Sequence, residues 1–325
     1  MKRVFFIVGP TAVGKSEIAA EIAQQLDAEI VNADAFQIYR GLDLLTAKPE
    51  KSLLAKVPHH LLGTVSLSEE MNVEKFRSSA LEALRDIKGR GKQAIVAGGS
   101  GLYVKALTHG LSKLPAADPQ LRARLADLSL DELCGQLVDL DPAAALKIDL
   151  KNRRRVTRAL EICLLTGQPV SEQRALPAAS LCEAPIKQEK TRGDSASHSE
   201  AATGSATGVF VFRERAELYE RINHRVEEMF AQGVVEEVRA LREVGPTAEQ
   251  TLGLREIRAL IRGEISEAEC IVTIQQRTRH YAKRQLTWFQ RQDNFEPLNL
   301  SSHGFPAAIE VIAQNARRVF AQRDD

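Results

Sequence analysis

The sequence predicts an α/β protein built on a parallel sheet, and three observations carry that prediction. In the first third of the 325 residues, short apolar runs alternate with stretches of helical spacing, the pattern of strands joined by crossover helices. The segment Gly9-Pro10-Thr11-Ala12-Val13-Gly14-Lys15-Ser16 fits G-x-x-x-x-G-K-[ST] and falls where a strand should give way to a helix, the setting in which that motif works. Between Gln120 and Thr166, by contrast, the spacing is helical and no stretch reads as a strand. Together these describe a P-loop NTPase-like parallel sheet core carrying a mostly helical insertion domain.

Taken in order, Val4–Val8 reads as a buried strand, and Ser16–Leu26 as a helix with Ile18, Ile22 and Leu26 on one stripe. Ala28–Asn32 is a second strand. Val73–Gly89 is helical with Phe76, Leu81 and Leu84 inward, and Ala94–Ala97 is a third strand ended by Gly98-Gly99. The pattern then changes. Pro115–Pro119 is a loop, helices follow, and Gly167-Gln168-Pro169 stops the last of them. The segment 193–208 has no aliphatic residue larger than alanine, so burial cannot offset its ordering entropy and it reads as a flexible linker. Val209–Phe212 is strand-like again, and amphipathic helices are expected at Ala216–Ala231, Val234–Val244, Ser266–Phe289 and Pro306–Ala321. The expected organisation is a core formed by 1–111 and 209–325, an insertion at 112–192 and a linker at 193–208.

Composition narrows the function. With 44 basic and 43 acidic residues the net charge is +1, so any nucleic-acid role must rest on local clusters rather than a basic domain. No run approaches the roughly 18 apolar residues of a membrane span. The apolar run at the amino terminus is too short for a signal peptide, and a cytoplasmic protein is expected. Cys134, Cys163, Cys182 and Cys270 form no C-x-x-C pair, which points to reduced thiols and no zinc site.

Glycines in the 9–16 motif let the backbone wrap a phosphate, with amides and the helix dipole aimed at it. Lys15 can reach the phosphate oxygens and Ser16 can ligate Mg²⁺. The motif does not distinguish a nucleoside triphosphate from another diphosphate ester. A hydrolysing P-loop enzyme usually carries an acid at the end of a neighbouring strand, but Ala94–Ala97 runs into Gly98-Gly99-Ser100-Gly101, which weakens an ATPase or switch reading. Asp34 follows the second strand, so it and Ser100 should gather with the P-loop at the carboxyl edge of the sheet. From spacing alone Asp34 is a general base, a turn cap or an outer metal ligand. Lys151–Arg158 and Arg277–Arg291 are basic stretches without an acid, the second containing Trp288 and Phe289. Such faces suit RNA, and equally a solvated helix with a core tryptophan. His59-His60 follows Pro58 in a loop without a visible ligand partner.

Several segments resemble one family, the tRNA dimethylallyltransferases. GPTAVGKS at 9–16, NADAFQIYRGLDLLTAKP at 32–49, PHHL at 58–61, GGSGLY at 98–103, RRVTRALE at 154–161, TGQPVS at 166–171, RAELYERINHRVEEM at 215–229 and TRHYAKRQLTWF at 278–289 carry the likeness. The resemblance implies transfer of a dimethylallyl group from dimethylallyl diphosphate to N6 of an adenine at position 37, beside the anticodon of tRNA, with release of diphosphate. It implies Asp34 as the base, with Lys15, Ser16, the loop amides and Arg215 on the diphosphate, and Mg²⁺ as cofactor. It also implies an RNA path along Asp34, Ala35, Phe36, Gln37, Ser100, Arg122, Arg154, Arg155, Arg158, Lys283, Arg284, Gln285 and Trp288. The partners are then the tRNA anticodon stem-loop and dimethylallyl diphosphate, without a membrane, for a monomer. The chain departs from the family at Ala35, Leu45, Asn152, Leu254 and Gln290, where Ser, Gly, Asp, Tyr and Arg are usual. A small P-loop kinase and a nucleotide-driven RNA-binding switch are the alternatives.

Overall fold

A computed structural model describes residues 4–111, 114–173 and 207–321. Six strands, all parallel, form one sheet in the order β3-β2-β4-β1-β5-β6. They are β1 (Val4–Val8), β2 (Ala28–Asn32), β3 (His59–His60), β4 (Gln93–Gly98), β5 (Gly208–Phe212) and β6 (Phe295–Asn299). The interior strands β1, β4 and β5 are near-continuous apolar runs because helices cover both faces of such a sheet. Phe5, Ile7, Ile30, Ile95, Val209 and Val211 pack with Ile18 and Ile22 of the helix Lys15–Gln25 and with Ile309 and Ile312 of the helix Phe305–Ala321.

The chain divides into two compact units, Met1–Leu107 with Ala184–Asp325, and Thr108–Glu183. The second has its own core, in which Leu125, Leu133, Leu137, Val156, Leu160 and Ile162 are buried. Its helices are Pro119–Ala126, Leu130–Leu140, Pro142–Ala145, Arg153–Thr166 and Val170–Gln173. Their limits follow from local chemistry. Ser129 and Glu132 form a capping box that satisfies two otherwise orphaned amides. Gly167 ends Arg153–Thr166 in the left-handed conformation (φ 67°).

Some expectations need correction. His59-His60 is a strand rather than a loop, pairing with Ile30 and Val31 of β2. Leu81 is only half-buried, and Ala80, Ala83 and Ile87 join Phe76 and Leu84 inward instead. The helix expected at Val234–Val244 stops at Arg239. A helix at Leu254–Ile261 and strand β6 had no counterpart in the sequence reading. Cys182 and residues 193–206 of the expected linker lie outside the described residues. No helix among the described residues is long and apolar enough to cross a membrane.

Candidate active site

The carboxyl ends of β1, β2, β4 and β5 release the chain into the segments that begin at Gly9, Ala33, Gly99 and Arg213, so the chemistry collects at one edge of the sheet. The P-loop turns tightly. Gly9 lies so close to β5 that a Cβ there would stand 2.2 Å from the Val211 carbonyl oxygen. Gly14 sits at φ 100° immediately before the helix Lys15–Gln25, a conformation costly for any residue with a Cβ. The Lys15 ammonium donates to the Pro10 carbonyl at 2.6 Å. Burial lowers its pKa from 10.5 to about 8; the Asp34 carboxylate opposes the shift and the Arg225 guanidinium adds to it.

Asp34 is held by its own turn. Its Oδ1 accepts the amides of Phe36 (2.9 Å) and Gln37 (3.2 Å), while among the described residues Oδ2 accepts no hydrogen bond. The Ala35 amide donates to the Ser100 hydroxyl at 2.9 Å, tying this turn to the end of β4. Tyr281, from the helix Glu267–Phe289, lies close to Ser100, and burial is the main reason its phenol pKa is raised.

Three arginines surround the P-loop from β5 and the helix Arg215–Ala231. Arg213 donates through Nε to the Val13 carbonyl (3.1 Å) and Arg221 to that of Ala12 (2.9 Å). Arg225 donates through Nη2 to the Thr11 hydroxyl (2.8 Å). Burial lowers the pKa of Arg225, with Asp34 opposing, and its buried Nε has no partner among the described residues. A buried cationic N–H without an acceptor is costly, and an incoming anion would satisfy it.

Beside this corner opens a pocket of about 510 Å³, part of it continuous with solvent, lined by Thr11, Asp34, Arg225, Tyr281 and other residues on its polar side. Phe36, Leu45, Val226, Met229, Leu252 and Ile274 supply an apolar wall. Among the described residues no three His, Cys, Asp or Glu side chains converge as a metal site. Mg²⁺ shared with a substrate's phosphate oxygens needs few protein ligands, and the Ser16 hydroxyl in the first turn of the helix Lys15–Gln25 could be one.

The structure separates the sequence-predicted residues into groups. Gly9–Ser16, Asp34, Phe36 and Ser100 come together, and the Gln37 side chain turns inward to donate to the carbonyls of Thr46 (3.1 Å) and Ala47 (3.0 Å). Gln285 is buried, accepts the Thr11 amide and donates to the Gly99 carbonyl, both at 2.9 Å. It joins the P-loop to the end of β4 instead of facing outward. Arg215 is exposed, with its guanidinium 5.2 Å from the Tyr219 ring centre. The loop carbonyls are met by Arg213 and Arg221, which the sequence reading missed. Arg221 and Arg225, four apart on a predicted helix, were the available signal, since residues so spaced share a face.

Lys283 and Arg284 are exposed on Glu267–Phe289. Arg277 of the same helix is paired with the buried Glu256. Trp288 is half-buried, and a Cβ on Gly101 would stand 2.6 Å from its indole. Phe289, not Trp288, is the core residue, stacked on Phe210. In the second unit Arg154 and Arg155 are exposed. Arg122 and Arg158 instead grip Glu161, which is fully buried, at 2.9 and 2.6 Å.

Comparison with known proteins decides the family. The family model described as IPP transferase matches residues 37–292, well over half of the chain. The chain belongs to the IPP transferase family. Among its relatives, the tRNA dimethylallyltransferase of Akkermansia muciniphila is 40% identical over 304 residues, covering 94% of this chain and 96% of that protein. That of Geobacter sulfurreducens is 37% identical, covering 98% and 97%. The crystal structure of the tRNA isopentenylpyrophosphate transferase of Bacillus halodurans has a TM-score of 0.66 at 30% identity over 98% of each chain. A eukaryotic dimethylallyltransferase caught acting on tRNA has a TM-score of 0.77 at 24% identity, covering all of this chain and 81% of that one, which supports the fold.

Proposed function

We propose that this member of the IPP transferase family transfers the dimethylallyl group of dimethylallyl diphosphate to N6 of the adenine at position 37 of tRNA, releasing diphosphate. The observation that carries the reading is the pocket itself. It joins a cationic corner at Thr11 and Arg225, a held carboxylate at Asp34 and an apolar wall from Phe36 to Ile274. A diphosphate ester with a short hydrocarbon group needs those three surfaces side by side.

The amine of adenine is a weak nucleophile because its lone pair is delocalised into the ring. Its nitrogen forms a bond to C1 of the donor while the C1–O bond breaks and the electron pair leaves with diphosphate. Asp34 takes the proton from nitrogen through its free Oδ2, a role geometry allows because Oδ1 is fixed by two amides. Lys15, Arg225 and the loop amides stabilise the charge that gathers on the leaving group. Arg215 is proposed to approach the same group when substrate is bound. The Ser16 hydroxyl would hold Mg²⁺, which would supply further neutralisation of the leaving group's charge. The base must leave its stack to reach the pocket, and Ser100 and Tyr281 stand beside Asp34 to receive it.

The exposed Arg154, Arg155, Lys283 and Arg284 are the proposed phosphate contacts of the anticodon stem-loop, with half-buried Trp288 beside the last two. The proposal describes a cytoplasmic monomer. The test has three arms: ATP alone, ATP with unmodified tRNA, and labelled dimethylallyl diphosphate with unmodified tRNA. Isoprenoid transfer in the third arm with no nucleotide hydrolysis in the first two is expected. Stoichiometric ATP hydrolysis without isoprenoid transfer would favour a kinase or switch.

A further inference from the structure

The chain that carries Asp34 runs on without a helix until Lys51–Leu54, and its far part is tied from outside. The amides of Asp43, Leu44 and Leu45 all donate to the Glu237 carboxylate, at 2.8, 2.7 and 2.9 Å. Glu237 is half-buried on the helix Val234–Arg239 and does not itself line the pocket. Its partners are backbone groups, so the contact does not depend on which side chains stand at 43–45.

Consecutive amides that converge on one point make a concavity suited to an anion, and hydrogen bonds to a charged acceptor are stronger than neutral ones. Behind them the turn closes on itself. The amides of Ala47 and Lys48 donate to the carbonyls of Leu44 and Asp43, both at 2.9 Å. Ala47 is held at φ 48°, a conformation that a residue with a Cβ keeps only where its surroundings enforce it. From there the hydrogen bonds lead back to the base. The Thr46 and Ala47 carbonyls accept the Gln37 side chain. The Gln37 amide is one of the two that fix Oδ1 of Asp34.

We infer that Glu237 is a positioning residue for the proposed base: by holding the 43–47 turn it fixes Gln37, and so keeps Oδ2 of Asp34 aimed at the reacting amine. The inference rests on Asp34 being that base. A role in stability alone would lower the melting temperature and leave the chemical step of the folded protein unchanged. A positioning role slows that step, since a misplacement of about 1 Å can cost about 10²-fold.

The experiment measures single-turnover rates at saturating dimethylallyl diphosphate and unmodified tRNA, with Mg²⁺ present. The proteins are wild type, Glu237→Ala, Glu237→Gln, Asp34→Asn and the double variant Asp34→Asn with Glu237→Gln. Hydrogen exchange of the Phe36 and Gln37 amides, followed by NMR, and a thermal melt accompany the kinetics. Glu237→Ala should lower the rate by ~10–10²-fold, and Glu237→Gln, which keeps an acceptor oxygen, by less, with KM for both substrates little changed. Both amides should exchange faster in the two Glu237 variants. The Glu237→Gln loss should vanish beside Asp34→Asn, because no base is left to misplace. Should Glu237→Ala fail to fold, Glu237→Gln decides on the same criteria; should neither fold, Glu237 is structural and the inference falls. A wild-type rate in the folded Glu237 variants, a loss that persists in full beside Asp34→Asn, or unchanged exchange at Phe36 and Gln37 would overturn the inference and leave the proposed function standing. Asp34→Asn at the wild-type rate would overturn the assignment of the base, and the inference with it.

Discussion

In the helical unit, three arginines are occupied by the protein itself. Arg122 and Arg158 close on the buried Glu161, and Arg153 donates to the carbonyls of Leu125, Ala126 and Leu128. Around the P-loop the same residue type is arranged differently. Arg213 and Arg221 touch loop carbonyls through Nε, and their Nη2 atoms each stand 3.9 Å from where a Cβ on Gly14 would lie. Arg225 keeps a buried Nε without a partner among the described residues. These arginines of the two regions thus differ in whether a buried carboxylate has already claimed the charge. Charge density along a sequence reports where cations are. Only their partners report whether they are available to a ligand.

The sharpest way to break this contrast is at the working end. Asp34→Asn keeps the side chain's size and removes the base, so kcat should fall by ~10²–10⁴-fold while tRNA affinity changes little. Turnover close to wild type, measured at saturating tRNA, would take Asp34 out of the reaction.

At the occupied end the largest effect should be on stability. Burial pushes the Glu161 carboxyl up, but hydrogen bonds from Arg122, Arg158 and the Asp118 amide outweigh it and leave its pKa below the ordinary 4.5. A depressed folded-state value means the contribution is complete above that pH and is lost as pH falls further. Glu161→Gln should therefore cost ~2–3 kcal/mol near neutrality, less than a fully buried pair because both arginines reach solvent. The deficit relative to wild type should shrink in acid. Urea melts at neutral and acid pH check both statements.

Lys15 gives the P-loop its own pH signature. With a pKa near 8 in the free protein, the ammonium loses its charge above that pH, so affinity for dimethylallyl diphosphate should fall by roughly tenfold per unit there. Binding near pH 8 should take up a proton, visible as a dependence of calorimetric heat on the buffer's ionisation enthalpy. An affinity flat from pH 7 to 9.5 would mean that Lys15 does not meet the anion.

The smallest expected effect concerns RNA. Arg284→Ala should lower the slope of log K for tRNA against log salt by roughly one unit, because one fewer phosphate is neutralised and its counterion stays in place, with an unchanged melt. Arg158→Ala should do the reverse, lowering the melting temperature and leaving the slope alone. Identical behaviour of the two variants would erase the distinction between occupied and available arginines.

Much of the framework was legible in the sequence because its signals are local. Val4–Val8, Ala28–Asn32 and Val73–Gly89 have the limits expected of them, each being a strongly patterned run between turn residues. Edge strands escaped. His59–His60 is two residues long, and β6 contains Pro297, which a strand tolerates only where no ladder hydrogen bond is required of it. In the site, Gly9–Ser16 and Asp34 announce themselves by motif and position. Gln285 does not, since its bonds to Thr11 and Gly99 span 274 and 186 residues. Arg122 and Arg158 looked available because Glu161, though in sequence beside Arg158, gives no sign there of being buried. The apolar wall of the pocket is assembled from separate helices and a loop, and only the fold brings Leu45, Val226 and Ile274 together.

Nucleoside mass analysis tests the central claim most directly. Unmodified tRNA is incubated with the protein, Mg²⁺ and dimethylallyl diphosphate in the absence of any nucleotide, then digested to nucleosides and weighed. One adenosine per tRNA, the one at position 37, should gain the mass of a single dimethylallyl group carried on N6, with diphosphate released in equal amount. An unmodified adenosine at that position, or modification that appears only when ATP is added and hydrolysed, would contradict the account.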